Sequence, residues 1–368
     1  LPRRFIWIKV EKMIKDFLSG NTQERLLLLP GLRGVGKTTL LSQIYLYLTE
    51  ELKIDRKRVL FVFVDAFVKE HSANIFKIME AYQKIIEEDL EVLKTPVFLL
   101  FDEVHYDDDW SSALKILYDK SPKIFIVATG SSALSLLSTP DLARRARIEE
   151  FYPLNFSEYL MLKKGILPNE ELREMIKELI FNPHLLPAYK EKITQCSIPF
   201  SETDLDKFMK TGGFPFFLQL DSDLKIYEKL KSILQRIIDY DIRKFANLEN
   251  ETIEKLPRFL MILASSPQVS NSSIAKYLEI DQRTVRKILD TFEKCMLIIS
   301  IPPHGSLTSI ARKSWRHHFV SPTIRAYLKF IEVLKEEDKG ILLEDYIAFI
   351  LFRMKSSKFD FELFFDPK

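Results

Sequence analysis

Apolar and polar positions along the 368 residues follow two regimes. In the first 155, short uninterrupted apolar runs alternate with stretches of helical spacing. Leu26–Leu29, Val59–Asp65 (VLFVFVD), residues 97–103 (VFLLFDE) and Lys123–Ala128 read as strands, and the continuous apolar run at 97–103 is that of a parallel strand buried on both faces. Between them, Leu40, Leu41, Ile44 and Leu48 predict a helix over Thr39–Leu48, and a longer helical stretch runs from Ala73 to Leu90. Asp109 would cap a helix starting at Trp110, Ser131 or Ser132 one over Ala133–Leu137, and Ile148–Tyr152 reads as a short further strand. The pattern predicts an α/β fold on a parallel sheet.

From 161 to 250 the alternation disappears, and Leu-, Ile- and Lys-rich stretches such as Asp223–Tyr240 read as helices punctuated by Pro183, Pro187 and Pro199. Gly212, Gly213 and Pro215 would form a stiff turn there. From Glu251 the expectation is three short helices followed by two strands. Ser272–Leu278 is the second helix, and Asp281 caps a third whose Val285, Ile288, Leu289 and Phe292 share one face. The strands are Met296–Ile301 and His318–Val320. The expected divisions are 1–155, 156–250, 251–330 and 331–368.

Composition narrows the class. With 46% hydrophobic and 29% charged residues, the chain is globular rather than disordered, and no apolar stretch reaches the ~18 residues of a membrane span. No signal-peptide core is visible, so a cytoplasmic location without membrane association is expected. Cys196 and Cys295, the two thiols, are too few for a disulfide framework or a zinc site. A net charge of +2 means that any nucleic-acid surface must be a local basic patch.

Residues 31–39, GLRGVGKTT, contain the pattern GxxxxGK[ST] between the first strand and its helix. Gly31, Gly34 and Gly36 let backbone amides turn onto a phosphate, with Leu32, Arg33 and Val35 completing the loop. Lys37 reaches the terminal phosphates, Thr38 holds Mg²⁺, and Thr39 follows at the helix start. Asp102 and Glu103 end the third apolar run, where the first would hold Mg²⁺ and the second polarise the attacking water of an ATPase. An extra strand between the two motifs and the lack of a fitting Asn-Lys-x-Asp string favour ATP over GTP. Exposed structural acids are the alternative.

Thr129 or Ser131 would sense the γ-phosphate, with simple capping as the other reading of the serines. Among Arg144, Arg145 and Arg147, one would be a finger acting in cis or from a neighbouring subunit, against a solvated basic loop. His105 follows the acidic pair without an assigned role.

Taken together, GLRGVGKTTLL, LFDEVH (Leu100–His105), ATGSSA (Ala128–Ala133), FYPLNFSEYL (Phe151–Leu160) and the GGFP at Gly212–Pro215 resemble archaeal and bacterial AAA+-type ATPases related to the STAND class. The resemblance implies a parallel-sheet P-loop NTPase of the additional-strand (ASCE/AAA+) type, with a helical lid and a C-terminal winged helix. It implies ATP or ADP with Mg²⁺ as ligands, and places Gly213 and Pro215 in a Gly-x-Pro element near the adenine.

In a winged helix, Arg283, Arg286 and Lys287 with the wing residues Arg312, Lys313 and Arg316 would form a footprint for double-stranded DNA, packing being the alternative role. The segment from Gly340, with Glu344, resembles the start of a nuclease-like domain but lacks a complete acidic set, so a packing helix is expected. Three functions compete: a nucleotide-driven ATPase switch, an ATP-switched DNA-binding regulator, and a scaffold that self-associates with ATP.

Overall fold

The computed structural model describes residues 2–71, 73–130, 140–196, 199–243, 248–306, 313–331, 339–357 and 361–366. After helix α1 (Ile6–Leu18), strand β1 (Leu26–Pro30) enters the phosphate loop and helix α2 (Lys37–Leu46) leaves it. Strand β2 (Val59–Phe63) is followed by α3 (Val64–His71) and α4 (Ile75–Ile86). Strand β3 (Val97–Asp102), α5 (Trp110–Lys120), β4 (Ile124–Gly130), the short α6 (Pro140–Ala143) and β5 (Arg147–Ile148) complete the unit. The sheet is parallel, with order β2-β3-β4-β1-β5.

The two-sided burial predicted for the third strand holds, and β1 and β4 share it, whereas edge strand β2 leaves Phe63 exposed. Leu27, Leu29, Phe98, Leu100, Phe125 and Val127 enter one apolar cluster with α1 and α2, while Leu26, Leu28, Leu99, Phe101, Ile124 and Ile126 enter another with α4 and α5.

Local geometry corrects several boundaries. The second strand stops at Phe63, because Val64 and Asp65 open α3. The long helix from Ala73 becomes α4 alone, capped by Asn74, with Asp107 accepting from the Ile75 amide at 2.7 Å. Asp109 precedes α5 without a side-chain cap, and Asp107 instead accepts from the Asp109 amide. The serine-capped helix over Ala133–Leu137 lies outside the described residues.

Helices α7 (Phe156–Lys164), α8 (Glu170–Phe181), α9 (Leu186–Gln195), α10 (Glu202–Lys207) and α11 (Asp223–Arg236) form the expected helical region, α11 continuing as a π-helix over Ile237–Ile242. Next come α12 (Asn250–Ser265), α13 (Asn271–Leu278) and α14 (Gln282–Lys294). The antiparallel strands β6 (Ile298–Ile301) and β7 (Arg316–Phe319) follow. The return strand thus starts two residues earlier than predicted. One apolar cluster runs without a break from β1 through α11 to Phe259, Phe292 and Phe349, so the sheet, lid and C-terminal unit share a core.

Helix α15 (Pro322–Ile331) and the last helix, α16 (Lys339–Ser357), close the structure. Glu344 faces Arg316 at 3.7 Å. Its neighbour Asp345 is fully buried and receives Arg325 Nε at 2.6 Å and Nη2 at 2.9 Å, with His318 Nδ1 at 3.1 Å. The terminal helix is thereby tied to α15 through Arg325 and to β7 through Arg316 and His318. Among the described helices, none is long and apolar enough to cross a membrane.

Candidate functional site

The phosphate loop curls where β1 ends. Gly34 and Gly36 have φ of +82° and +101°, a region that costs a residue with a Cβ. Gly31 is constrained differently, since a Cβ there would lie 2.2 Å from the Phe151 carbonyl oxygen. Leu32 and Val35 bury their side chains and offer backbone: the Leu32 carbonyl accepts from Lys37 Nζ at 3.0 Å, and that of Val35 from Arg4 Nη1 at 2.8 Å. Lys37 also donates to the Gly31 carbonyl at 2.8 Å. Burial pushes its ammonium below the ordinary value, with Glu103 and Asp102 partly offsetting this.

The acidic pair arrives from β3, two strands away from β1. Thr38 Oγ1 donates to Asp102 Oδ2 at 2.6 Å, and Glu103 Oε1 lies 3.7 Å from Lys37 Nζ. Burial raises the Asp102 carboxyl, while hydrogen bonds from Thr129 and Thr38 pull it back. Thr129 is fully buried, donates to Asp102 Oδ1 at 2.5 Å, and accepts from the Glu103 amide at 3.0 Å. Its hydroxyl thus bridges Asp102 and the Glu103 backbone. Ser131 lies outside the described residues.

A cleft of ≈ 380 Å³ opens over the loop, lined by Gly34, Gly36, Lys37, Thr38, Thr39 and Glu103 on one side and by Pro215, Phe216, Ile233 and Arg236 of the lid on the other. Pro2, Arg4, Gln43, Phe151 and Leu162 also line it. Pro215 Cγ approaches to 3.5 Å from where a Cβ on Gly36 would sit, as expected of a lid turn. Gly213 does not line this cleft. Its amide donates to Thr323 Oγ1 at 3.0 Å, and a Cβ would meet Ser321 Oγ at 2.1 Å, so its smallness serves the contact between lid and α15.

The finger candidates lie elsewhere within the chain. Arg145 forms a double hydrogen bond to Asp119, at the end of α5 and hence at the edge where strands begin, opposite the phosphate loop. Arg144 pairs with Asp141, and Arg147 with Glu24 and Glu149. None of the three arginines lines the cleft over the phosphate loop.

Unforeseen neighbours complete the site. Arg33 Nη2 reaches the Tyr106 hydroxyl at 3.1 Å and Asp241 Oδ1 at 3.5 Å. Burial alone would lower the Arg33 pKa, but the Glu103 and Asp241 carboxylates raise it. Asp241 interrupts the apolar stripe of Ile237, Ile238 and Ile242, and a carboxylate at such a position was the available signal. Arg4, bidentate to buried Glu158 at 2.9 and 2.8 Å, has no local signature.

In the C-terminal unit, Arg283, Arg286, Lys287 and Lys313 are exposed. Arg286 and Lys313 share a cleft of ≈ 610 Å³ with Gln282 and Trp315. Arg316 is half-buried, with Glu344 at 3.7 Å and its guanidinium over the Phe365 ring at 4.9 Å, and Arg312 lies outside the described residues.

Residues 23–160 match the family model of the AAA domain, and residues 202–335 that of a domain of unknown function, DUF8612. The uncharacterised Methanocaldococcus jannaschii protein MJ1637 is 37% identical over 364 residues, covering 98% of this chain and 73% of that protein. MJ1544 of the same organism is 26% identical over 273 residues, 73% of this chain and 54% of that protein, so the chain spans about half of that relative. Among solved structures, Aeropyrum pernix ORC2, in ADPNP-ADP complexes, superposes with a TM-score of 0.46 at 13% identity, covering 96% of this chain and 95% of that one.

Proposed function

The chain belongs to the family of MJ1637 and carries an AAA domain on a parallel α/β sheet of the P-loop NTPase type, and from that premise we propose that it binds and hydrolyses ATP with Mg²⁺. One observation carries the reading: Lys37 and Thr38 at the start of α2 and Asp102 and Glu103 at the end of β3 converge under one cleft, with Thr38 Oγ1 2.6 Å from Asp102. The donor set fits Mg²⁺, a hard cation that takes one or two carboxylates, a hydroxyl and substrate oxygens. Among the described residues no cluster of three His, Cys, Asp or Glu offers a richer metal site.

Thr38 and Asp102 would hold the ion, whose charge would stabilise that developing on the phosphate oxygens. Lys37 supplies a buried ammonium to the β- and γ-phosphates, and the loop amides bind their oxygens. The Glu103 carboxylate orients water toward the γ-phosphorus and takes up its proton, leaving ADP and inorganic phosphate. A finger would come from a second copy of the chain, because Arg144 and Arg145 project from the far edge of their own sheet. Such self-association makes turnover depend on protein concentration.

The cleft is roofed by the lid, and the lid shares one core with the C-terminal unit. This supports a nucleotide-driven, STAND-like switch in which nucleotide state sets the placement of both. The test is ATP turnover: Lys37→Ala and Glu103→Gln each abolish it, and unchanged turnover in both removes the assignment.

The second reading adds double-stranded DNA. Helices α12–α14 with the β6–β7 pair are read as a winged helix, and the exposed Arg283, Arg286, Lys287 and Lys313 beside the Trp315 cleft support it. Duplex binding that weakens with salt would support this role, and its absence at low salt would leave the switch without DNA.

A further inference from the structure

Glu103 leaves β3 with φ of +55°, a left-handed conformation that costs energy for a residue with a side chain and turns its carboxylate away from the strand direction. The two oxygens face different groups: Oε1 lies 3.7 Å from Lys37 Nζ and Oε2 3.4 Å from His105 Nδ1. The imidazole, 5% exposed, presents its other nitrogen to Asp241 Oδ1 at 4.0 Å. Asp241 is 2% exposed and belongs to the lid, at the π-helical end of α11. The same oxygen lies 3.5 Å from Arg33 of the phosphate loop.

A buried carboxylate on an apolar helical stripe is costly unless compensated. Compensation by Arg33 alone would account for stability, but not for His105 lying between this carboxylate and that of Glu103. We propose that Asp241 and His105 are positioning residues, through which the lid controls the aim of the Glu103 carboxylate at the γ-phosphate.

The inference rests on the ATPase reading above. Without a triphosphate, Glu103 is shared between Lys37 and His105. When a γ-phosphate takes up the ammonium, the imidazole stays on the carboxylate, and its ring orientation depends on Asp241. That carboxylate is in place only while the lid lies against Arg33. Lid closure and water activation become one event, so hydrolysis is suppressed when the lid is displaced.

The test uses the full chain with ATP, measuring steady-state kcat and KM beside the affinity for a fluorescent ADP analogue. Asp241→Asn and His105→Gln each lower kcat about tenfold or more while KM and ADP affinity stay within about threefold. The double variant is no slower than the slower single, because both act along one path, and Asp241→Glu recovers part of the loss. If either variant fails to fold, the other carries the same test. Wild-type turnover with unchanged kcat in a folded variant overturns the coupling alone, as does loss of kcat and ADP affinity in proportion. A wild type that does not hydrolyse ATP overturns the ATPase reading together with it.

Discussion

Substituting Asp345 with leucine tests how the last helix is held. Arg325 is fully buried and donates to five acceptors: both Asp345 oxygens at 2.6 and 2.9 Å, and the carbonyls of Leu263, Ala264 and His317 at 2.7, 2.8 and 3.3 Å. Removing the carboxylate leaves a guanidinium in a dry core with three backbone dipoles as its remaining acceptors. A buried pair broken on one side costs about 3–5 kcal/mol. Those carbonyls argue for the lower half of that range. At about 1.4 kcal/mol per factor of ten, local opening becomes about 10² to 10³ times more frequent.

Native-state hydrogen exchange reads this directly, whereas global unfolding of so large a chain is not two-state. Protection should fall by that factor in α16, β7 and the end of α12, leaving β1 and β4 unaffected. The double variant Arg325→Met/Asp345→Leu should recover most of the loss, since no charge remains buried, with a residue of about 1–2 kcal/mol from the freed carbonyls. A single-variant cost below about 1 kcal/mol, or a double-variant cost equal to the sum of the two singles, would refute the reasoning.

Gly34→Ala forces φ of +82° on alanine and drives a Cβ to 2.7 Å from Ile233 Cδ1, so nucleotide affinity should fall at least tenfold by titration, with about 1–3 kcal/mol lost in stability. His317 is held neutral by burial, with His318 adding to the effect, at a pKa of about 4 against 6.5 for the free group. The unfolded chain therefore binds more protons, and stability of the C-terminal unit declines as pH drops below about 6.5, approaching a loss of about 3 kcal/mol near pH 4. Denaturation midpoints at neutral and acid pH should show it, and His317→Gln should flatten the profile. Should the duplex reading hold, Arg283→Ala/Arg286→Ala weakens binding uniformly across sequences and reduces the salt slope by about one per lost phosphate contact, measured by fluorescence anisotropy.

Much of the candidate site was legible because its requirements are local. Gly34, Gly36, Lys37 and Thr38 sit within a few bonds of one another, and the apolar runs entering Pro30 and Asp102 announce parallel strands by composition alone. The surroundings of Arg316 were not legible, since Glu344 and the Phe365 ring reach it from the far end of the chain.

Local pattern thus determined the α/β sheet, the loop and the acidic pair. The crossing of elements decided the rest: that Thr129 serves Asp102, that Gly213 admits α15, that Arg145 meets Asp119 at the opposite edge, and that Asp241 of the lid reaches His105. The physical reason is range. Backbone conformation and strand burial follow from neighbours a few residues apart, whereas a buried charge such as Asp241 meets partners from distant parts of the chain, and only the packed core sets which elements come within reach.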